Sequence, residues 1–245
     1  VGIAEQNLIG IASGLSNCGF IPFVYTISNF LVHRCFEQIR NDISLHRKNI
    51  VLLGTSCGFD NSPLGPTHHA VDDWGHIKSL PYFEIYCPSS NRYSSTLVNK
   101  LLKSKNPKFV RVPKGSYEEI QTSSDYLYVN KKSKNIVVTY GNMVKEYSEI
   151  IDKKKISFLI LNKIHPLENK FKNILSNYKK IFVAEDHFAD TGMYSSICQL
   201  MVKNKKNIDI ESLAPKNYNL KVGQNSEYFY NYYNIYKNSL LRKVL

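Results

Sequence analysis

The sequence predicts an α/β protein built from two doubly wound domains with mostly parallel sheets. Short runs rich in β-branched and aromatic residues alternate with amphipathic runs almost throughout its 245 residues. Strands that alternate with helices in this way are typical of βαβ units and of a parallel sheet. A polar stretch interrupts the alternation near the middle, and a second alternating series follows it. The length also exceeds the commonest domain size of about 100 to 150 residues, which favours two domains.

The first half opens with a helix in which small and apolar residues recur at helical spacing, and Gly19 is its stop signal. Strands are predicted at 21–26, 49–54, 83–87 and 108–112, and helices at 29–44 and 95–103. A sheet of this type normally has a strand before its first helix, and the sequence shows none there. We therefore expect a fragment or a truncated subunit.

A polar linker at 116–133 is predicted to separate a domain at 1–115 from a domain at 134–245. A short strand, 126–129, is predicted inside the linker. Strands at 136–140, 156–161, 180–184 and 208–212 and helices at 143–152, 168–177 and 192–202 are predicted beyond it. The aromatic segment 228–236 lacks interleaved basic residues, which favours a terminal helix packed on its own domain over a stacking platform for bases.

The composition excludes several classes of protein. Hydrophobic residues make up 43% of the chain and charged residues 21%, which is typical of a globular protein rather than a disordered one. The net charge of +12 is spread over both halves, so it favours an anionic small substrate or an acidic protein partner over nucleic acid. The five cysteines are widely spaced without a CxxC pair, which indicates reduced thiols rather than disulfides or a zinc site. The sequence shows no signal peptide and no apolar run long enough to span a membrane, so we expect a cytoplasmic protein without a membrane partner.

Three motifs occur together in a specific order: GIAEQN at 2–7, FEQIRND at 36–42 and GPTH at 65–68. Each motif alone is a weak signal, but their joint order and spacing are a strong one. Together they make the chain similar to the transketolase family of thiamine diphosphate enzymes over nearly its whole length. The resemblance implies a pyrimidine-binding domain that lacks its opening segment, followed by the C-terminal domain of the family.

Glu5 stands at the head of an apolar helix, and the resemblance gives this position a chemical reason. In the family, a carboxyl group hydrogen-bonds a ring nitrogen of the cofactor's aminopyrimidine, which then takes a proton from the thiazolium ring. A carboxyl group partly shielded from water holds such a shared proton more readily than a free one. The resemblance therefore implies that Glu5 activates the cofactor. Residue type alone would favour a carboxylate stabilised by the helix dipole.

The resemblance assigns roles to further residues of the pocket. Phe30 matches the aromatic residue that stacks on the aminopyrimidine, and Ile27 stands where some transketolases place another aromatic side chain. His68 matches a histidine that faces the substrate and can donate to an oxyanion or shuttle a proton. Lys114 matches a basic position that binds a substrate phosphate, and Ser56 replaces a substrate-contacting histidine. Without the resemblance, Phe30 is interpreted as a core residue and Lys114 as a solvated lysine.

Other positions depart from the family or are expected to be structural. Leu64 stands where relatives carry an aspartate before Gly-Pro-Thr-His, and this loss argues against an ordinary pentose-phosphate substrate. Arg34 and Glu37 lie on one helix face and are expected to form a local or intersubunit ion pair. The acidic pair and histidine at 185–187 are expected to mark a switch from strand to helix, with the histidine at a subunit contact.

The family holds the diphosphate and Mg²⁺ of its cofactor with a Gly-Asp-Gly motif, which this sequence lacks, and no metal ligand is predicted in the chain itself. The resemblance thus implies a partner, an N-terminal subunit that carries the diphosphate-binding domain and the Mg²⁺, in a homodimer or heterotetramer. We predict the C-terminal subunit of a split transketolase that transfers a two-carbon ketol unit between sugars or sugar phosphates. The alternatives are a subunit similar to 1-deoxyxylulose-5-phosphate synthase or to the first component of 2-oxo acid dehydrogenases, and a catalytically idle structural subunit.

Overall fold

Two five-stranded sheets form the framework of the chain in the computed structural model, which describes residues 1–115, 120, 122–153 and 156–244. Within each sheet the strands pair in parallel, except for one antiparallel strand at an edge. Helices lie between the strands in the chain order, so the predicted α/β class with mostly parallel sheets is confirmed.

The first sheet has the strand order β1-β2-β4-β3-β8. Its strands are β1 (Phe23–Ile27), β2 (Val51–Thr55), β3 (Glu84–Tyr86), β4 (Lys108–Val112) and β8 (Lys163–His165). Its helices are α1 (Glu5–Asn17), α2 (Ser28–Val32), α3 (Phe36–Gln38), α4 (Asp73–Lys78) and α5 (Asn91–Lys103). Helix α5 begins before the predicted 95 because the Ser90 side chain caps it, accepting a hydrogen bond from the Tyr93 N–H at 3.0 Å.

The predicted helix 29–44 is divided in the structure. A turn at 33–35 separates α2 from α3, and Ile39–Ser44 continue α3 as a π-helical segment. At this turn the Arg34 carbonyl accepts a hydrogen bond from the Gln6 side chain at 3.0 Å, which ties the break to α1. The division therefore coincides with a contact between segments that lie far apart in sequence.

The second sheet has the strand order β10-β9-β6-β7-β5. Its strands are β5 (Tyr126–Val129), β6 (Asn135–Tyr140), β7 (Ser157–Leu161), β9 (Lys180–Ala184) and β10 (Asp209–Leu213). Its helices are α6 (Asn142–Lys153), α7 (Phe171–Leu175), α8 (Met193–Lys203), α9 (Ser226–Tyr232) and α10 (Lys237–Val244). No helix in the described ranges is long and apolar enough to cross a membrane. All five cysteines are free thiols.

The two sheets do not follow the two halves of the chain strictly, because two edge strands join the sheets across the border. Strand β8 comes from the second half but pairs with β3 of the first sheet, with Ile85 opposite His165. Strand β5 comes from the predicted linker and pairs with β7 of the second sheet. Residues 116–119 and 121 of that linker lie outside the described residues, and the division into domains stays a prediction.

A set of fully buried charges lies where the halves meet. The Arg111 guanidinium, on β4, binds Asp73 at 3.0 Å and Asp186 at 2.8 Å, and all three side chains are essentially inaccessible to solvent. Gly58, with φ 52°, passes so close that an added Cβ would lie 2.1 Å from Asp186 Oδ2. A glycine is therefore required at this point of the loop after β2.

The segment 185–187 follows β9 and leads into α8, as the predicted switch from strand to helix implies. Glu185 accepts hydrogen bonds from the backbone N–H groups of Met193 and Tyr194 at 2.8 and 2.9 Å, at the start of α8. His187 is fully buried, and its Nε2 accepts a hydrogen bond from the Gly75 N–H at 3.3 Å. The expectation of a subunit contact for His187 is therefore wrong, because its ring packs inside the chain.

Candidate functional site

Glu5 is the first residue of α1 and is nearly buried, with 6% of its surface exposed. Its Oε2 accepts a hydrogen bond from Arg34 Nη1 at 2.6 Å. Burial acts to raise the pKa of Glu5, but the hydrogen bond from its own backbone N–H and the Arg34 guanidinium together lower it below the usual value. In the described structure Arg34 therefore pairs with Glu5, and the expected local pairing of Arg34 with Glu37 is wrong.

Arg34 also connects Glu5 to two aromatic rings. Its guanidinium carbon lies 4.5 Å from the centroid of the Phe30 ring, over the ring face. The His68 ring meets the Phe30 ring edge-on, with centroids 5.1 Å apart and planes at 75°. The four residues Glu5, Arg34, Phe30 and His68 form one continuous line of contacts, which we call the Glu5–His68 cluster.

The segment 54–69 comprises the end of β2 and the loop after it, here called the 54–69 loop, and it holds His68 in this cluster through its neighbours. The Asn29 side chain donates hydrogen bonds to the carbonyl oxygens of Thr67 at 3.0 Å and His69 at 2.9 Å. His69 points away from the cluster, and its ring packs edge-on against Phe229 of the aromatic C-terminal segment, with centroids 4.7 Å apart. That segment therefore packs on a loop of the first half as well as on the second.

Three other predicted site residues, Ile27, Ser56 and Lys114, lie where parallel strands of the first sheet end. Ile27 is the last residue of β1 and pairs with Thr55, the last residue of β2. Ser56 comes next, is buried, and has φ 64°, and its N–H donates to the Val112 carbonyl at 3.2 Å. The carboxyl edge of an open parallel sheet is where such folds bind ligands.

Lys114 lies just after β4, at the same edge. Its backbone N–H donates to Asp60 Oδ2 at 2.8 Å, and its ammonium donates to Asn61 Oδ1. The structure thus places Lys114 beside the early part of the 54–69 loop, whereas Arg34 links Glu5 to Phe30, and Phe30 contacts His68.

An open cavity of about 530 Å³ lies beside the cluster, and it contains residues that sequence reasoning missed. It is lined by Asn29, His33, Pro66, Thr67, His69, Asp72, His76 and Tyr218. His33 Nε2 lies 3.0 Å from Asp72 Oδ1, and the Tyr218 hydroxyl donates to Asp72 Oδ2 at 2.5 Å. Burial acts to raise the pKa of Asp72, but the hydrogen bonds from His33 and Tyr218 lower it to about 2. The hydrogen bond to Asp72 in turn raises the pKa of His33.

One local signal for these residues is present in the sequence. Asp72 and His76 are four residues apart, the spacing that puts two side chains on one helix face. His33 and Tyr218 come from distant parts of the chain and carry no such signal. A second cavity of about 600 Å³ is lined by residues 188–191, 212 and 214–218, and it contains no member of the Glu5–His68 cluster.

Comparison with known proteins relates the chain to transketolases. Residues 1–119 match the family model described as transketolase, pyrimidine binding domain. The chain is 27% identical over 217 residues to an apulose-4-phosphate transketolase subunit of Actinobacillus succinogenes, and the match covers 83% of this chain and 70% of that protein. It is 28% identical over 254 residues to 1-deoxy-D-xylulose-5-phosphate synthase of Malacoplasma penetrans, and this match covers 100% of this chain but only 41% of the synthase.

The same fold occurs in a solved structure described as a split gene transketolase, inactive beta4 tetramer. The TM-score is 0.87 at 21% sequence identity, and the match covers 100% of this chain and 82% of that chain. At this identity the likeness concerns the fold. The chain thus spans most of the transketolase subunit and less than half of the synthase.

Proposed function

We propose that the chain, whose residues 1–119 match the pyrimidine-binding domain of the transketolase family, is the C-terminal subunit of a split thiamine diphosphate enzyme. The proposed reaction transfers a two-carbon ketol unit between sugars or sugar phosphates. An N-terminal partner subunit supplies the diphosphate-binding domain and the Mg²⁺. The similarity to an apulose-4-phosphate transketolase subunit supports this assignment. The observation that carries the proposal is the nearly buried carboxylate of Glu5 in line with Phe30 and His68.

The chemical groups of the cluster residues suit the aminopyrimidine end of the cofactor. Glu5 offers a shielded carboxylate, and Phe30 offers a half-buried aromatic ring near it. Asn29 Oδ1 and His69 Nε2, beside the cluster, are buried polar atoms without a hydrogen-bond partner in the described structure. A polar ligand entering the neighbouring cavity would satisfy such atoms, whose burial without a partner costs about 1 to 3 kcal/mol each.

Arg34 occupies the place where an aromatic ring would bind. Its guanidinium covers one face of Phe30 and holds the Glu5 carboxylate. The Arg34 side chain is 44% exposed, so it can turn into solvent at low cost. Its departure would free the Phe30 face and remove the charge that lowers the pKa of Glu5. Glu5 would then be a shielded acid that can share a proton with a ring nitrogen.

Each residue of the chain has a defined task in this proposal. When bound, thiamine diphosphate supplies the nucleophilic carbon that cleaves and forms the bond next to a ketone. Glu5 holds a proton between its carboxyl group and the pyrimidine ring, and Phe30 orients that ring. His68 has its Nδ1 3.0 Å from the Thr67 hydroxyl, which leaves Nε2 to exchange a proton with a substrate oxygen.

The remaining pocket residues set the shape and charge of the substrate end. Ile27 and Ser56 form the wall at the ends of β1 and β2, and Lys114 binds a distal phosphate as a point charge. Ser56 cannot supply the charge or reach of the histidine found in transketolases. We therefore place the substrate specificity of the enzyme in the 54–69 loop.

Reconstitution tests the proposal. The chain is mixed with a candidate N-terminal subunit, thiamine diphosphate and Mg²⁺, and consumption of a donor ketose is followed. Glu5→Ala is expected to lower turnover by about 10²-fold to 10⁴-fold, because it removes the general acid-base partner of the cofactor. Glu37→Ala, which changes an exposed glutamate of the same region, is the matched control and should retain activity. Turnover that survives Glu5→Ala within a factor of about ten would contradict the proposed role of Glu5.

A second candidate function is the condensation of a decarboxylated 2-oxo acid with an aldehyde. It is favoured by the similarity to 1-deoxy-D-xylulose-5-phosphate synthase, which extends over 100% of this chain. The same complex decides between the two, because this reaction and that of a 2-oxo acid dehydrogenase release CO₂ from the 2-oxo acid while ketol transfer does not. A complex that forms but acts on neither donor would instead favour an idle structural subunit.

A further inference from the structure

Three side chains outside the Glu5–His68 cluster converge on the cavity beside it. His33 lies in the turn after α2, Asp72 directly precedes α4, and His76 lies within α4. One ligand atom from each lies within 4.8 Å of the others, and no other such group of three occurs in the part of the chain that the structure describes. Two imidazoles and one carboxylate are the ligand set of several metal sites in proteins.

The spacing of these atoms is close to what a bound ion needs. Tetrahedral Zn²⁺ bonds of about 2.0 to 2.2 Å place neighbouring ligand atoms about 3.3 to 3.6 Å apart. His33 Nε2 and Asp72 Oδ1 are already 3.0 Å apart. Only His76, an exposed side chain, has to move inward.

The hydrogen bonds that Asp72 and His76 make to their other neighbours are of the kind that supports metal ligands. His76 Nδ1 lies 2.8 Å from the Asp72 backbone carbonyl and donates its N–H to it, so that Nε2 carries the free lone pair. The Tyr218 hydroxyl donates to Asp72 Oδ2, which leaves Oδ1 to face His33. Ligand histidines almost always donate their other N–H to a carbonyl or carboxylate, and ligand carboxylates are themselves hydrogen-bonded. These contacts are independent of the convergence of the three ligand atoms.

We infer that His33, Asp72 and His76 form a binding site for a divalent transition-metal ion of the zinc class. Nitrogen ligands from two imidazoles favour such an ion over Mg²⁺ or Ca²⁺, which take oxygen ligands. All three ligands line the open cavity of about 530 Å³, so the remaining coordination positions face water or an oxygen-bearing ligand there. The inference rests on these residues alone and does not depend on the proposed ketol transfer.

The site adjoins the Glu5–His68 cluster through the loop residue Thr67. Thr67 lines the cavity, and its hydroxyl contacts His68 Nδ1. A metal-bound oxygen ligand in the cavity would therefore lie on the loop that also positions His68. None of the three metal ligands belongs to the cluster itself.

Calorimetric titration of the untagged, metal-free chain with Zn²⁺ alone tests the inference. We expect one equivalent to bind. His33→Ala and His76→Ala should each abolish binding or weaken it by more than about tenfold, because each removes a ligand. Tyr218→Phe keeps the ring but removes the hydroxyl from Asp72, and it should weaken binding by about 10-fold to 100-fold. His46→Ala, which removes an exposed histidine that is not part of the site, is the matched control and should bind as the unmodified chain does.

Two further measurements make every outcome decisive. Circular dichroism of each variant shows whether lost binding reflects lost folding, and Tyr218→Phe keeps the inference testable if a histidine variant does not fold. X-ray absorption at the zinc edge should show only nitrogen and oxygen neighbours at about 2.0 to 2.2 Å, with imidazole scattering. Sulfur neighbours at about 2.3 Å, absence of Zn²⁺ binding, or unchanged binding in a folded double variant of His33 and His76 would each overturn the inference.

Discussion

Two arginine–carboxylate sites in this chain have opposite surroundings. Arg111 is fully buried and binds Asp73 and Asp186, which are equally buried. Arg34 is 44% exposed and binds Glu5, whose side chain is 7% exposed. A buried pair is costly to break, because one uncompensated charge stays in the interior, whereas a half-exposed arginine can leave into water. The same pair of residue types therefore stabilises the fold at the buried Arg111 site. At the half-exposed Arg34 site, the pair can separate when a ligand binds.

The Arg111 guanidinium has a partner at each of its three nitrogens. Its Nε lies 3.0 Å from both oxygens of Asp73, its Nη1 lies 2.8 Å from Asp186, and its Nη2 donates to the Ala70 carbonyl at 2.6 Å. The Ser28 hydroxyl donates to Asp73 Oδ2 at 2.6 Å. The partners come from both halves of the chain, so this site links them. Arg34, by contrast, has one carboxylate partner and one ring face.

The largest expected effect is from Arg111→Met, which should lower the free energy of unfolding by about 3 to 5 kcal/mol because it leaves buried carboxylates unpaired. Urea unfolding followed by circular dichroism measures this. Arg40→Met, at an exposed arginine, is the control and should change stability by less than about 0.5 kcal/mol. A loss of under about 1 kcal/mol for Arg111→Met would mean that the buried site does not fix the fold.

Gly58→Ala should come next, with a loss of about 2 to 4 kcal/mol from a left-handed backbone and a clash with Asp186. The matched variant is Gly10→Ala in α1, where an added Cβ meets nothing within 4 Å. This second change should stabilise the chain by about 0.5 to 1 kcal/mol, since alanine favours the helix. Thermal unfolding of both variants gives the measurement, and equal effects of the two changes would contradict the close packing around Asp186.

The pH dependence of stability tests the buried site through His187. Burial, with the Arg111 charge, lowers the pKa of His187 to about 3, whereas the unfolded chain protonates this ring near pH 6.5. Between these values the unfolded state binds more protons, so the free energy of unfolding falls as the pH falls through that window. His187→Gln should reduce the slope by about 1.4 kcal/mol per pH unit. His46→Gln, at an exposed ring, should leave the slope unchanged, and an unchanged slope in His187→Gln would refute the neutral buried ring.

The smallest expected effect is from Arg34→Ala. A half-exposed ion pair contributes about 0 to 1 kcal/mol, so stability should change by no more than that. The pKa of Glu5 should rise, because the hydrogen bond and charge that lower it are removed. Carboxyl chemical shifts of Glu5 measured against pH in the variant and in the unmodified chain give the answer. A loss of stability as large as that of Arg111→Met would show that the two arginine sites do not differ in this way.

The sequence predicted those parts of the molecule that have local signals. The strand of Arg111 was predicted at its observed bounds, Lys108–Val112, from a short run rich in β-branched and aromatic residues. The burial of Arg111 was not, because its partners Asp73 and Asp186 lie 38 and 75 positions away. Strand β8 has three residues and almost continues β7, so no turn signal separates them.

The candidate site shows the same limit. The resemblance to transketolases assigned roles to Glu5, Phe30 and His68, and in the structure Arg34 links these three into one line of contacts. The partner of Arg34 was missed, because helical spacing favoured Glu37 while the observed partner lies 29 positions away. Contacts between distant elements decide which of two carboxylates an arginine meets, and a single sequence does not show them.

A structure of the chain assembled with its N-terminal partner, thiamine diphosphate and Mg²⁺ is the most direct measurement of the central claim. The account predicts a Glu5 carboxyl oxygen within hydrogen-bond distance, about 2.6 to 3.2 Å, of a pyrimidine ring nitrogen. It also predicts that Arg34 has left both Glu5 and the face of Phe30, where the ring is stacked. A cofactor seated elsewhere, with Arg34 still bound to Glu5 as in the isolated chain, would contradict it.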